Sequence, residues 1–418
     1  MSSFVEPAPS GGLEPRLTRT GEELHGSLVD LIDAIPNVPR RPQELARALG
    51  LKKDLTSRLL RATAQGDPIA AMHAMPGPEA LRRLLEAAEP RLEDEAVLER
   101  ARAAVSAYDS LIRSVAGDRG RFDTLLTGWL PEAREKVDLL CRQSVYRGMV
   151  GLRGSSGDVK LSVAIMHPSE DGQHVDLLWL IGVMGLQRLR PGVRVRFASR
   201  HLNAPAAAGA VDSEGQAGND SGLDLDRFTP EPRGRMGVQR IGSAVHFLLD
   251  EPAVGNDAAV NVMVSTLTRR CMNRYEANPA SPRRRGPVAE IDLPLKELVF
   301  DALVHRDLFP DREPRGDVYD TAFLGLPSVN DPTRATDRLD VRPTVQRLAD
   351  DPGRLRLAEH PSYEALIRHA CGRVGWDPAE FRVYRARMEY PLYGTSVHLT
   401  FEAPADPKTP APQVAGRP

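Results

Sequence analysis

The chain has 418 residues, 41% of them hydrophobic and 27% charged, and a formal net charge of −2. That composition excludes wholesale disorder, and the length is enough for two or three domains with a substantial core. No run approaches the roughly 18 apolar residues that cross a bilayer, and the opening MSSFVEPAPSGG has neither a basic start nor an apolar block, so a cytoplasmic protein with no membrane contact is expected.

Residues 1–20, rich in Pro, Gly and Ser, read as a disordered tail. A first helix is expected from about Gly21, because Leu24, Leu28, Leu31, Ile32 and Ile35 recur at helical spacing before Pro36 and Pro39. The next stretch, Pro42 to Arg61, has the spacing of two short helices crossing at a tight turn. Leu45, Leu49, Leu51, Leu55 and Leu59 would share a core, Ala46 would leave room for the second helix, and Gly50 supplies the residue that tolerates φ > 0. This is a helix-turn-helix pattern. Its second helix would project Lys52, Lys53, Thr56, Ser57, Arg58 and Arg61, with Arg41 and Gln43 at the start of the first helix. These residue types bind phosphates and base edges when such a helix enters a major groove. From Arg40 to Arg61 the local charge balance is +5 in a nearly neutral chain, the footprint of a module that meets a phosphate backbone.

Ala46, Gly50, Leu51, Lys53, Arg58, Leu59 and Leu60 stand at the spacing of the winged helix-turn-helix of IclR-type transcriptional regulators, and the segment from about 21 to 65 resembles it. Thr56 departs from that pattern, where an aliphatic residue is usual. A reduced wing is expected, with a turn at Gly66-Asp67-Pro68 and a short strand over Ile69 to Met75. Glu44-Leu45-Ala46, Asp54-Leu55 and Arg58 to Arg61 also resemble the N-terminal dimerisation domain of small-molecule O-methyltransferases, which bind no DNA. Such enzymes continue into a glycine-rich cofactor loop. Its nearest counterpart here, Gly151 to Asp158, is followed by a strand pattern where a helix is required.

A short helix through Leu81, Leu84 and Leu85 would close the first domain near residue 89. Pro90 to Gly117 reads as a long helix whose stripe Val97, Ala101, Ala104, Tyr108, Leu111 and Val115 suits either the core of its own chain or a dimer seam. Another helix from Pro131 places Val137, Leu140, Cys141 and Val145 on one side. The period then changes to two. Strands are expected over 159–165, 193–197, 238–249 and 260–264, with a disordered insertion at 203–235 and an exposed arginine loop at Ser281 to Gly286. Leu293 to Leu308 and Tyr363 to Val374 read as helices, Val383 to Phe401 as a hairpin, and 403–418 as a Pro-rich disordered tail.

The three cysteines, Cys141, Cys271 and Cys371, read as buried thiols, and His369 with Cys371 lacks a second pair of metal ligands. No catalytic motif is present. Asp350-Asp351 reads as a turn, and Trp179, Trp376, Tyr384 and Tyr390 as core more than pocket. The expected fold class is α+β: an all-α winged helix-turn-helix domain at 21–89, a helical linker or dimerisation region at 90–148, and an α+β domain at 149–402 with an antiparallel or mixed sheet. The regulator resemblance implies a homodimer on double-stranded DNA, with a C-terminal domain for a small-molecule effector or for oligomerisation, and with no cofactor and no metal. The alternative is an enzyme or scaffold that uses the winged helix only to dimerise.

Overall fold

The computed structural model describes residues 12–36, 38–201, 223–242, 244–276, 283–348 and 355–407. The fold is α+β, with helices through residue 153 and, beyond it, sheets with one further α-helix among the described residues. The chain divides into two compact units between Asp138 and Leu139.

The first unit is helical. Its elements are α1 (Leu13–Asp33), α2 (Pro42–Leu49), α3 (Lys53–Ala62), α4 (Pro68–Ala74), α5 (Pro78–Ala88), α6 (Glu95–Val115) and α7 (Arg119–Leu126). The helix α8 (Pro131–Arg153) leads into the second unit. One apolar core runs from Leu17 to Leu126, so the boundary expected near residue 89 does not exist as a break in packing. The long stripe is part of it: Val97, Leu98, Ala101, Ala104, Val105, Tyr108, Leu111 and Ile112 are all buried within this unit, and the core reading holds over the dimer seam.

Two expectations fail here. The first helix starts at Leu13, inside the expected tail, because Leu17 continues the buried row of Leu24, Leu28 and Leu31. Gly21 is not its start. A Cβ there would stand 2.6 Å from the Pro68 carbonyl oxygen, so the glycine is what lets α1 and α4 touch. Residues Ile69 to Met75, expected as a wing strand, fall in α4 and its C-cap. Asp67 caps this helix by accepting the Ile69 N–H at 3.1 Å, and Pro68 sits at its first position, where a missing N–H costs nothing.

The second unit holds β1 (Ser155–Pro168), β2 (His174–Arg188), β3 (Arg196–His201), β4 (Met236–Ile241), β5 (Ala244–Leu249), β6 (Val260–Asn273), β7 (Arg284–Arg285), β8 (Val288–Ile291), β9 (Leu295–His305), β10 (Arg315–Asp320), β11 (Arg338–Leu339), β12 (Thr344–Arg347), the helix α9 (Tyr363–Val374), β13 (Phe381–Glu389) and β14 (Thr395–Glu402). The main sheet has the order β12-β13-β9-β1-β2-β6 and is mixed, antiparallel except where β1 runs parallel to β9. One face packs through Val163, Ile165, Leu303 and Val383 under α9. The other packs through Met166, Phe300, Ala302 and Tyr384 against residues such as Val318, Leu399 and Phe401 of a second sheet, β11-β10-β14-β7 with β8 beside β14. The hairpin β4–β5 pairs with β3 in a third sheet.

Leu295–His305 is the central strand β9, not the expected helix. Buried on both faces from Leu298 to His305, it shows an apolar run interrupted only by Asp301 and His305, which periodicity does not distinguish from a buried helix. The strand expected over 238–249 is two strands of a hairpin. The disordered insertion expected at 203–235 does not hold for its second part, where Leu225 and Phe228 are buried around a short 3-10 turn at Asp226–Phe228; residues 202–222 lie outside the described residues. The arginine loop is also reassigned. Arg284 and Arg285 form β7 against β14, Arg284 donates to the Thr400 carbonyl at 2.5 Å, and Arg285 pairs with Glu276 at 3.1 Å. Within the expected C-terminal tail, Ala403 is buried and Ala405 bridges Glu276; residues 408–418, like 1–11 and Asp350-Asp351, lie outside the described residues.

Of the aromatic residues read as core, Tyr384 and Trp376 are buried, and Trp179 stacks on Phe300 at 5.8 Å. Cys371 is buried, with its thiol pushed up to about 12 by burial, whereas Cys141 is exposed. His398 on β14 is 2% exposed, shares a 2.9 Å hydrogen bond with Ser396, and is held down to about 3 by burial. The folded state keeps this ring neutral, while the unfolded chain protonates it below about pH 6.5. Stability is therefore retained above that pH and lost as pH falls toward 3, by about 2 kcal/mol between pH 7 and pH 5. Urea midpoints at the two pH values measure this, and His398→Gln is expected to flatten the difference.

Candidate nucleic-acid interface

The two short helices and the tight turn between them are present, built as their residues require. Gly50 ends α2 at φ 64°, ψ 25°, a left-handed cap that glycine adopts without a Cβ clash. The Leu51 N–H then closes the turn on the Ala46 carbonyl at 2.9 Å. Leu45, Ala46 and Leu49 of α2 are buried, as are Thr56, Leu59 and Ala62 of α3. That burial leaves the opposite side of α3 to solvent.

The expected contact residues divide by this geometry. Arg41, Gln43, Lys52, Lys53, Arg58 and Arg61 are exposed, and Ser57 is half-buried. Lys53, Ser57 and Arg61 recur every four residues along one side of α3, with Arg58 beside them. Arg40 and Arg47 are neutralised by Asp33 and Glu44. Among the described residues Arg41, Lys52, Lys53, Arg58 and Arg61 are in no ion pair, so their charge remains available to a ligand.

Thr56 is not available. It is fully buried, and its hydroxyl donates to the Pro42 carbonyl at 2.7 Å and the Lys53 carbonyl at 3.0 Å. Its methyl group occupies the apolar position of the motif while its hydroxyl ties α3 to the first turn of α2, which accounts for a threonine where the resembled family has an aliphatic side chain. Thr56→Val is expected to cost about 1 kcal/mol by leaving the Pro42 carbonyl without this donor. Gly50→Ala is expected to cost roughly 1 kcal/mol through its left-handed φ. Chemical denaturation of the two variants measures both.

Two side chains near α3 were not signalled by the sequence. His73 and Arg119 lie close enough to Arg58 for its charge to be felt: burial lowers the His73 pKa, Asp123 opposes that, and Arg119 and Arg58 lower it further. Arg119 donates to the Met72 and His73 carbonyls, both at 3.0 Å, and pairs with Asp123 at 2.7 Å. It thus fastens the end of α4, with its charge balanced by Asp123. Only the fold brings it there.

Gly151 to Asp158 is no cofactor cradle. It is the last turn of α8, a left-handed cap at Gly154 (φ 63°) and the start of β1, with no helix N-terminus following the strand. The His369 ring nitrogen Nδ1 is 2.7 Å from Arg227, and among the described residues no third potential ligand joins His369 and Cys371. No protein-family model, curated protein or solved structure matches the chain.

Proposed function

We propose that the chain is a sequence-specific DNA-binding protein, a transcriptional regulator in which α3 enters the major groove and the second unit senses a small molecule or mediates association. The observation that carries this reading is the exposed side of α3, where Lys52, Lys53, Arg58 and Arg61 stand free of ion pairs on a helix fixed by the Gly50 turn. Lys52 and Lys53, at the helix start, meet phosphates or base edges. Ser57, Arg58 and Arg61 follow along the groove, and Arg41 and Gln43 flank them at the start of α2. With no wing strand in α4, phosphate contacts fall to the helices themselves.

Helix-turn-helix modules read paired half-sites, so a homodimer belongs to this proposal. The buried α6 stripe does not supply its seam. A cleft of about 280 Å³ in the second unit supports an effector role: it lies between the β4–β5 hairpin and Leu223 to Asp226, lined by Met236, Val238, Phe247 and Met263 with Asp224 and Arg240. Apolar walls with a few charged groups suit a small organic ligand.

The test is the variant carrying Lys52→Ala, Lys53→Ala and Arg58→Ala. Exposed substitutions cost within about 0.5 kcal/mol each, so it is expected to melt with the parent and to lose DNA retention. A folded triple variant that binds as the parent does would remove α3 as the reader.

A further inference from the structure

Three side chains of the second unit that the DNA reading leaves unused converge at one end of the main sheet. His167 is next to the last residue of β1, His305 ends β9, and Glu380 ends the short turn Pro378–Glu380 that enters β13. β1 and β9 run parallel with Met166 beside Val304, which sets the next residue of each strand side by side. Both continue the rows that face α9, Val163 and Ile165 on one strand and Leu303 on the other, and their ring centroids are 4.7 Å apart. Phe381 pairs with His305, which delivers Glu380 to the same place. One ligand atom from each of the three residues lies within 4.8 Å of the other two.

The hydrogen bonds decide which atoms face the centre. His167 Nδ1 is 2.7 Å from the Pro168 carbonyl, which only accepts, so Nδ1 carries the proton and Nε2 keeps a lone pair. The ring is held by stacking on Trp376 at 4.9 Å and 5°. Glu380 gives one oxygen to Arg306 at 2.7 Å and the other to His305 Nε2 at 3.2 Å. That second spacing is close to the roughly 3.4 Å that separates two ligands bound about 2.1 Å from one tetrahedral ion.

We propose that His167, His305 and Glu380 hold one first-row divalent cation of the zinc class through two imidazole nitrogens and one carboxylate oxygen. Two imidazoles suit zinc, copper, iron and nickel, whereas calcium and magnesium take oxygen ligands. Three protein ligands leave a coordination position open, the arrangement of sites that bind a water or an outside ligand at the metal. Coordination by His305 Nε2 needs the ring proton on Nδ1, which here accepts the Asp307 backbone N–H at 3.2 Å, so that bond is given up when the metal binds. The tautomer shift leaves the proton count unchanged. Arg306 is 65% exposed, so water screens its charge from the ion. The site stands whether or not α3 reads DNA.

The test uses the full chain, stripped with a chelator and dialysed, then titrated with zinc against a competing indicator and assayed for bound metal. About one equivalent is expected at micromolar free zinc, with cobalt giving a visible spectrum that lacks thiolate charge transfer. Loss of a hydrogen-bond partner behind a ligand weakens metal binding about 10–100-fold, so losing a ligand is expected to cost at least about tenfold. His167→Gln and Glu380→Gln, both on half-exposed residues, are to be compared with the parent by circular dichroism, and either one that keeps the fold makes the comparison. Failure of the parent to hold an equivalent overturns the site. So does an equivalent retained unchanged by a folded variant, because the ion is then bound elsewhere.

Discussion

DNA affinity is expected to fall steeply with salt. Each chain presents five unpaired basic groups on the helix-turn-helix, Arg41, Lys52, Lys53, Arg58 and Arg61, and a dimer presents them twice. Each phosphate neutralised releases condensed counterions and adds about −0.9 to the log–log slope of affinity against salt. Two modules making about three to five contacts each lose roughly 10³ to 10⁵ in affinity between about 50 and 200 mM salt. Arg58→Ala alone should lower the slope by about 0.9 per module. Fluorescence anisotropy at a series of salt concentrations reads both quantities. A slope near zero would mean that binding, if any, does not run through phosphate contacts.

The largest stability loss is expected at Asp301. This residue of β9 is fully buried beneath α9, and both its oxygens are taken by Arg385 of β13 at 2.7 and 2.8 Å. The Tyr363 hydroxyl donates to it as well, and Arg385 donates further to the Arg356 carbonyl at 3.0 Å. Burial opposes the Arg385 charge, and the Asp301 hydrogen bonds and charge outweigh that and raise its pKa. Burial, with Asp301 adding to it, pushes the Tyr363 hydroxyl up, so Tyr363 stays a donor. Asp301→Asn leaves a guanidinium without its counter-charge inside the protein, and breaking such a pair costs about 3–5 kcal/mol. Adding Arg385→Met to that variant removes the orphaned charge and should recover part of the loss, a coupling that a double-mutant cycle measures. If Asp301→Asn melts like the parent, the pair contributes nothing and the face under α9 is held by its apolar residues alone.

How much of this was legible in the chain follows from where each signal originates. The α2–α3 turn was legible because Gly50 and the leucines around it are local, and so was the row along α6. The direction of the Thr56 side chain was not, since its acceptor at Pro42 belongs to the other helix. Leu295–His305 misled because burial on both faces erases the period that distinguishes strand from helix. Arg284 and Arg285 look like a solvated charge run until Glu276 and Thr400 are placed beside them. His167, His305 and Glu380 lie in three distant segments with no motif spacing. Two pairings bring them together: the parallel pairing of β1 with β9, the least local of the main sheet, joins the histidines, and that of β13 with β9 delivers Glu380.

The most direct measurement of the central claim is capture of genomic fragments by the full-length protein at low salt, followed by sequencing of what is retained. A helix-turn-helix reader predicts a small set of fragments sharing a sequence, enriched by the parent and lost with the Lys52, Lys53 and Arg58 triple variant. Retention of no fragments by the folded parent, with or without cell extract to supply an effector, would contradict the DNA-binding account.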